Sequence, residues 1–253
     1  NVQRVRRGLH ERGKDMVQGQ TEKINAPGSA PFSLRLRFQK RGMLQYISHL
    51  DLLRTMEHVV VRAGLPLRYS EGFNPHVRLS FGMPLSVGAE SITEYMDVQL
   101  TQEVDPQWAK SQLNAQLPQE LSVLSAAAAV HRFSEIAFAC YALELRCAAT
   151  TQADAEKINA LWNNPLIVEK RTKKGLVPTD ISPMIRKAQV RAADTGLCAE
   201  VLLSASSASY LNPDYLLRAA AAALGIAYDD PEALTPVILR TGVYLSDTVT
   251  PFC

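Results

Sequence analysis

A chain of 253 residues, 47% of them hydrophobic and 21% charged, is long enough for two domains of about 100 residues and apolar enough to bury a core in each. No run of about 18 apolar residues occurs and the basic N-terminus leads into no apolar segment, which argues against a membrane helix and a secretory leader and points to the cytoplasm. The formal net charge of +2 conceals a segregation: residues 1–41 carry ten basic against three acidic side chains, and residues 169–191 seven against two. Charge gathered in this way is the footprint of a face that meets a polyanion, although surface charge also simply keeps proteins in solution.

Residues 1–31 have no sustained apolar period and finish in NAPGSAP, so they read as a basic tail and linker, helical near Val5–Met16 and able to continue from an upstream domain. From Phe32 the pattern changes. FSLRLRFQK alternates Phe32, Leu34, Leu36 and Phe38 with Ser33, Arg35, Arg37 and Gln39, a strand with one buried and one basic face that leads into Lys40 and Arg41. SHLDLLRTMEHVVVRAG is an amphipathic helix, with Ser48 as its cap, Asp51 in its first turn and Gly64 at its stop. A short strand at 65–69, a loop, a strand near 77–81, a strand at 94–100, a helix from Asp105-Pro106 to Leu117 and a strand at 121–127 complete a βαββαβ order.

The second half repeats that order. ACYALELRCAA alternates as a strand, TQADAEKINALWN is helical, and PLIVEKRTKKG forms a basic hairpin. In AQVRAADTGLCAEVLLSA the triplet Asp194-Thr195-Gly196 marks a hairpin turn, NPDYLLRAAAAALGI is a helix with Asn212 as cap and Pro213 in its first position, and a strand near 236–240 closes the unit. The expected fold is therefore α+β, with two tandem ferredoxin-like units with inserted loops at 32–130 and 135–253.

Residue types that carry chemistry are few. Cys140, Cys147, Cys198 and Cys253 include no CxxC pair and read as reduced core thiols; His10, His58 and His131 lack ligand partners at metal-binding spacing, so neither a metal nor another cofactor is expected. The loop LRYSEGFNPHVRLSFGMPLSVG is different. Tyr69 and Phe73 suit stacking on bases, Asn74 and His76 suit base edges or sugar hydroxyls, Arg78 suits phosphate, and the glycines allow close backbone approach. The same residues admit a structural reading, with Phe73 as a core plug and Asn74-Pro75 as a turn.

His49, at the start of the first helix, reads either as a satisfied histidine or, with His76, as an acid–base pair for cleaving RNA through its own 2′-hydroxyl. In EKRTKKGLVPTDISPMIRK, Lys170, Arg171, Lys173 and Lys174 lead to Arg186, a set suited to a phosphate backbone or to a solvated hairpin tip. Asp180 is expected to anchor this loop by capping or by pairing with Arg186.

The run LRFQKRGMLQYISHLDLLRTMEHVVVRAGLPLRYSEGFNPHVRLSFGMPLSVGAES, together with YMDVQL, KKGLVPTDISPMI and RTGVYL, closely resembles the bacterial radical-SAM-linked domain of unassigned function, found alone or fused behind a radical SAM module. The resemblance covers most of the chain after the tail. It implies a radical SAM protein as partner and this chain as substrate handler, since the three-cysteine cluster motif of radical SAM enzymes is absent from the sequence. More distantly, tandem ferredoxin-like domains with a Gly-rich loop resemble the RAMP proteins that bind and cut CRISPR RNA. Three functional readings follow: an RNA-binding module without its own chemistry that presents tRNA- or rRNA-type substrate, a RAMP-like endoribonuclease that needs no metal, and a protein-interaction adaptor with a basic face.

Overall fold

The computed structural model describes residues 32–148, 150–172 and 175–252; the basic tail and the lysine pair Lys173 and Lys174 lie outside the described residues. Within them are ten strands and four α-helices, an α+β fold in which most strand pairs are antiparallel. The chain divides into two compact units. The first comprises the described residues up to Arg37 with Leu50–Phe81 and Tyr95–Ala129, and the second takes Phe38–His49, Gly82–Glu94 and the chain from Val130 onward.

The first unit is carried by β1 (Phe32–Lys40), α1 (His49–Arg62), β2 (Leu79–Phe81), β3 (Glu90–Leu100), α2 (Pro106–Asn114) and β4 (Val123–Ala128), of which Phe38–Lys40, His49 and Glu90–Glu94 belong to the second. Strand order is β4-β1-β3, with β2 on β3 through Leu79↔Val98, Ser80↔Asp97 and Phe81↔Met96. Last, first, third, second is the ferredoxin-like order. In α1 the buried residues Leu52, Met56, Val59 and Val60 recur every three to four positions, and the helix gives way to Gly64 at φ +70°. Helix α2 starts where Asp105 accepts hydrogen bonds from the N–H groups of Gln107 and Trp108, with Pro106 in the first turn. These helices and strands bury Leu34, Leu36, Met56, Met96, Val98 and Leu113.

The segment expected as a strand at 65–69 makes only isolated bridges, Leu67↔Leu100 and Tyr69↔Val77. The basic face expected of β1 is also corrected. Arg35 is 3% exposed and its Nε and Nη2 each lie 2.8 Å from an oxygen of Asp97, while Lys40 is 2% exposed. Arg35 and Lys40 therefore serve internal partners, Asp97 and the Gln45 carbonyl, while Arg37 is half-buried.

In the second unit β5 (Phe138–Cys147), α3 (Gln152–Trp162), β8 (Ile185–Ala193), β9 (Gly196–Ser204), α4 (Asp214–Leu224) and β10 (Leu234–Tyr244) are arranged in the order β10-β5-β9-β8, again the ferredoxin-like order. The exposed hairpin of β6 (Ile167–Thr172) and β7 (Gly175–Asp180) is a separate two-stranded sheet. The other edge of β10 pairs in parallel with the start of β3, which belongs to this same unit, Leu239 with Glu90 and Arg240 with Ser91. Tyr141, Leu143, Leu145, Leu197, Val201 and Leu203 fill one face of the sheet, where α3 brings Ile158 and Trp162 and α4 brings Leu217 and Ala220.

Thr151 and Asp154 form a reciprocal cap on α3. The cap of α4 lies one residue later than expected, at Pro213, with Asn212 accepting from the Asp214 N–H. Between β8 and β9 the turn is Asp194-Thr195, and Gly196 adopts φ +129° with its backbone against β5: a Cβ there would lie 1.9 Å from the carbonyl oxygen of Leu145.

Candidate functional site

The quoted loop is shut at its base and open at its tip. Arg68 N–H donates to the Gln99 carbonyl, Arg78 N–H to Arg68 and Gln99 N–H to Arg78, at 2.9, 3.0 and 3.0 Å. One step further out the Ser70 N–H donates to the His76 carbonyl at 2.8 Å and the His76 N–H to Ser70 Oγ at 3.0 Å. Beyond this clasp nothing covers Phe73, whose relative exposure is 107%, and Asn74, Pro75, His76 and Arg78 are exposed with it. Tyr69 is half-buried at the clasp. The core-plug reading of Phe73 therefore fails: the loop carries an aromatic ring fully into solvent, with polar and cationic neighbours.

The remaining expected site residues fall elsewhere. Arg37 and Arg41 are half-buried, and Arg41 Nε lies 2.9 Å from Glu90 Oε2. His49 is exposed at the first turn of α1 and belongs to the second unit, whereas His76 belongs to the first. On the β6–β7 hairpin Lys170 Nζ donates to the Tyr210 carbonyl at 3.3 Å and the Arg171 side chain is exposed. Arg186 sits 5.2 Å above the ring of Phe138. Asp180 anchors the hairpin by capping, accepting from the N–H groups of Ser182 and Leu166, and the Ser182 hydroxyl and backbone hold its carboxyl below the usual aspartate range. Among the described residues no group of three metal-ligating side chains gathers.

A second feature was not expected from the sequence. In the second unit Arg240 donates through Nη2 to Glu94 and, at 3.0 Å, to the carbonyl of Met83, and it stands opposite Tyr141 across the β10–β5 pairing. Arg240 is 1% exposed and Glu94 4%. Burial opposes charge on Arg240, but Glu94 and the neighbouring phenols outweigh it and raise its pKa; burial also raises that of Tyr141. Burial lowers the pKa of Lys40, a second cation of this cluster, against the pull of Glu94. Beside it opens a pocket of about 480 Å³ with Met83, Pro84, Leu85, Phe133, Ile136 and Tyr210 among its walls. The available signal was a charge at an inward position of each strand: Glu94 within SITEYMDV and Arg240 within VILRTGVYL.

No curated protein matches the chain. Among solved structures it is similar to a chain from a crystal structure of a Cbf5-Nop10-Gar1 complex, at 10% identity and a TM-score of 0.45, over 86% of this chain and 51% of that one. The chain thus spans about half the length of that neighbour. A family model matches residues 33–213, most of the described chain, and on that match the protein belongs to DUF2344, a family of uncharacterized proteins conserved in bacteria.

Proposed function

We propose that the protein is an RNA-binding module that grips unpaired bases with the loop from Tyr69 to Arg78 and presents a tRNA- or rRNA-type substrate to a radical SAM partner. The observation that carries this reading is Phe73, a wholly exposed ring at the tip of a loop whose base is hydrogen-bonded shut. Leaving such a ring in water forgoes about 1.5–3 kcal/mol of burial, with no internal contact in return. A stacked base recovers that loss, while Asn74 and His76 offer partners to base edges and ribose hydroxyls and Arg78 a partner to phosphate. Arg171, exposed on the second unit's hairpin, suits a phosphate contact of its own. The radical SAM partner rests on the sequence resemblance, and the partner performs the reaction.

The test is a titration of the full chain with labelled single-stranded and duplex RNA at low salt. Phe73→Ala should weaken single-strand binding about ten- to a hundredfold, the value of one stacked base, and leave the melting temperature unchanged. Equal binding by parent and variant, or no binding to either RNA, overturns the proposal.

A further inference from the structure

Among the described residues of the second unit, Nε and Nη1 of Arg240 and the hydroxyl of Tyr141 are buried without a well-formed hydrogen bond. Both side chains are 1% exposed. The charges around them do not balance, because Arg240 and Lys40 share one buried carboxylate, Glu94. Unsatisfied donors and an uncompensated charge in a protein interior are costly, and a group that brings acceptors and one negative charge relieves both at once.

The pocket shows where such a group enters. Met83 joins the two features, its carbonyl accepting from Arg240 Nη2 while the residue lines the pocket. Tyr210 does the same, lining the pocket and lying close enough to Arg240 and Tyr141 to influence their charge. The walls are otherwise apolar, with Pro84, Leu85, Phe133 and Ile136 beside a few serines, and the volume of about 480 Å³ is that of a small-molecule site. A phosphate dianion carries more charge than the cluster leaves uncompensated and a hydrated head that these walls do not suit. A carboxylate matches the single excess charge, and its two oxygens can accept from guanidinium and phenol together.

We propose that this pocket binds a small organic acid, an apolar or aromatic body bearing one carboxylate, with the body against Phe133, Ile136 and Leu85 and the carboxylate turned towards Arg240 and Tyr141. Tyr210 swings aside as the head enters. The site stands on its own geometry and does not depend on the RNA reading.

The experiment is calorimetric titration of the full chain with 4-phenylbutyrate, indole-3-acetate and octanoate, each against its neutral amide, in parent, Tyr141→Phe and Ser206→Trp proteins. At least one acid should bind at millimolar concentration or better, about tenfold or more tightly than its amide, the value of a charge-assisted hydrogen bond. Tyr141→Phe deletes a hydroxyl that makes no well-formed hydrogen bond, so it should melt close to the parent and lose about tenfold in acid affinity while amide binding stays constant. Ser206→Trp fills the pocket away from the buried pair and should abolish binding of both forms. The proposal is overturned if no acid binds, if acid and amide bind alike, or if Tyr141→Phe binds the acids as the parent does.

Discussion

Arg240 and Tyr141 face each other across β10 and β5 on the covered side of the sheet, close enough for the guanidinium to act on the phenol, yet no well-formed hydrogen bond joins them. The guanidinium spends its Nη2 on Glu94 and Met83 instead. A buried ion pair of this kind is poor evidence of stability in itself, because desolvating two charges offsets much of their attraction. Arg240→Met alone strands the Glu94 carboxylate and should cost about 3–5 kcal/mol, towards the lower end because Lys40 also acts on Glu94. The double variant Arg240→Met with Glu94→Leu should recover most of that loss, as measured by urea denaturation. A double variant no more stable than the single one would show that the pair itself holds the fold.

Arg35 offers a contrast between structure and binding. Its guanidinium meets Asp97 through two parallel hydrogen bonds of 2.8 Å inside the first unit. Arg35→Met should therefore lower stability by about 3 kcal/mol, the scale of a broken buried pair, and leave the salt dependence of RNA binding unchanged. A flattened salt slope without a fall in stability would return Arg35 to the surface.

Gly196 tolerates no side chain. Gly196→Ala places a Cβ on the Leu145 carbonyl and imposes a positive φ on alanine, so it should destabilise the protein by more than about 1 kcal/mol. Thermal melts of this variant beside Gly72→Ala, where nothing lies within 4 Å, separate the steric clash from the cost of φ alone.

Asp180 gives the acid limb a defined sign. The Ser182 hydroxyl and backbone N–H, then Leu166 N–H, favour its charged form and depress its folded pKa. Stability from a depressed carboxylate is present above the unfolded pKa and is lost as pH falls through the folded one. Asp180→Asn should thus melt below the parent at neutral pH, with the gap closing below about pH 4. A gap that stays constant across that range contradicts this account.

Much of the architecture is legible from local pattern. Helix α1, the Thr151 start of α3 and the Asp194-Thr195 turn follow from spacing and turn chemistry that act within a few residues. The ends of β3 and β10 do not. The start of β3 comes early because Glu90 and Ser91 pair in parallel with Leu239 and Arg240, a partnership some 150 residues apart that periodicity cannot encode, and β10 runs on at both ends because it pairs with β5 from Leu234 to Tyr244. Separation along the chain also hides Arg35–Asp97, 62 residues apart, and Arg240–Glu94, 146 apart, since alternation assigns a charged strand residue to the outside until a partner from elsewhere meets it. Of the candidate site, the exposed loop could be read from residue types, whereas the pocket assembles from segments far apart in the chain.

The division of the chain also orders its synthesis. Every described residue of the first unit lies before Val130, while the second takes Phe38–His49 and Gly82–Glu94 from the early chain and waits for β10 to receive Glu90 and Ser91. Closing so long a loop is entropically slow, and a nascent chain folds from its N-terminal side. Protease protection of ribosome-bound chains should therefore appear in the first unit well before the second. Until β10 emerges, the leading part of β3 is a waiting edge, which makes the interval after Ala129 the period in which a chaperone has most to shield.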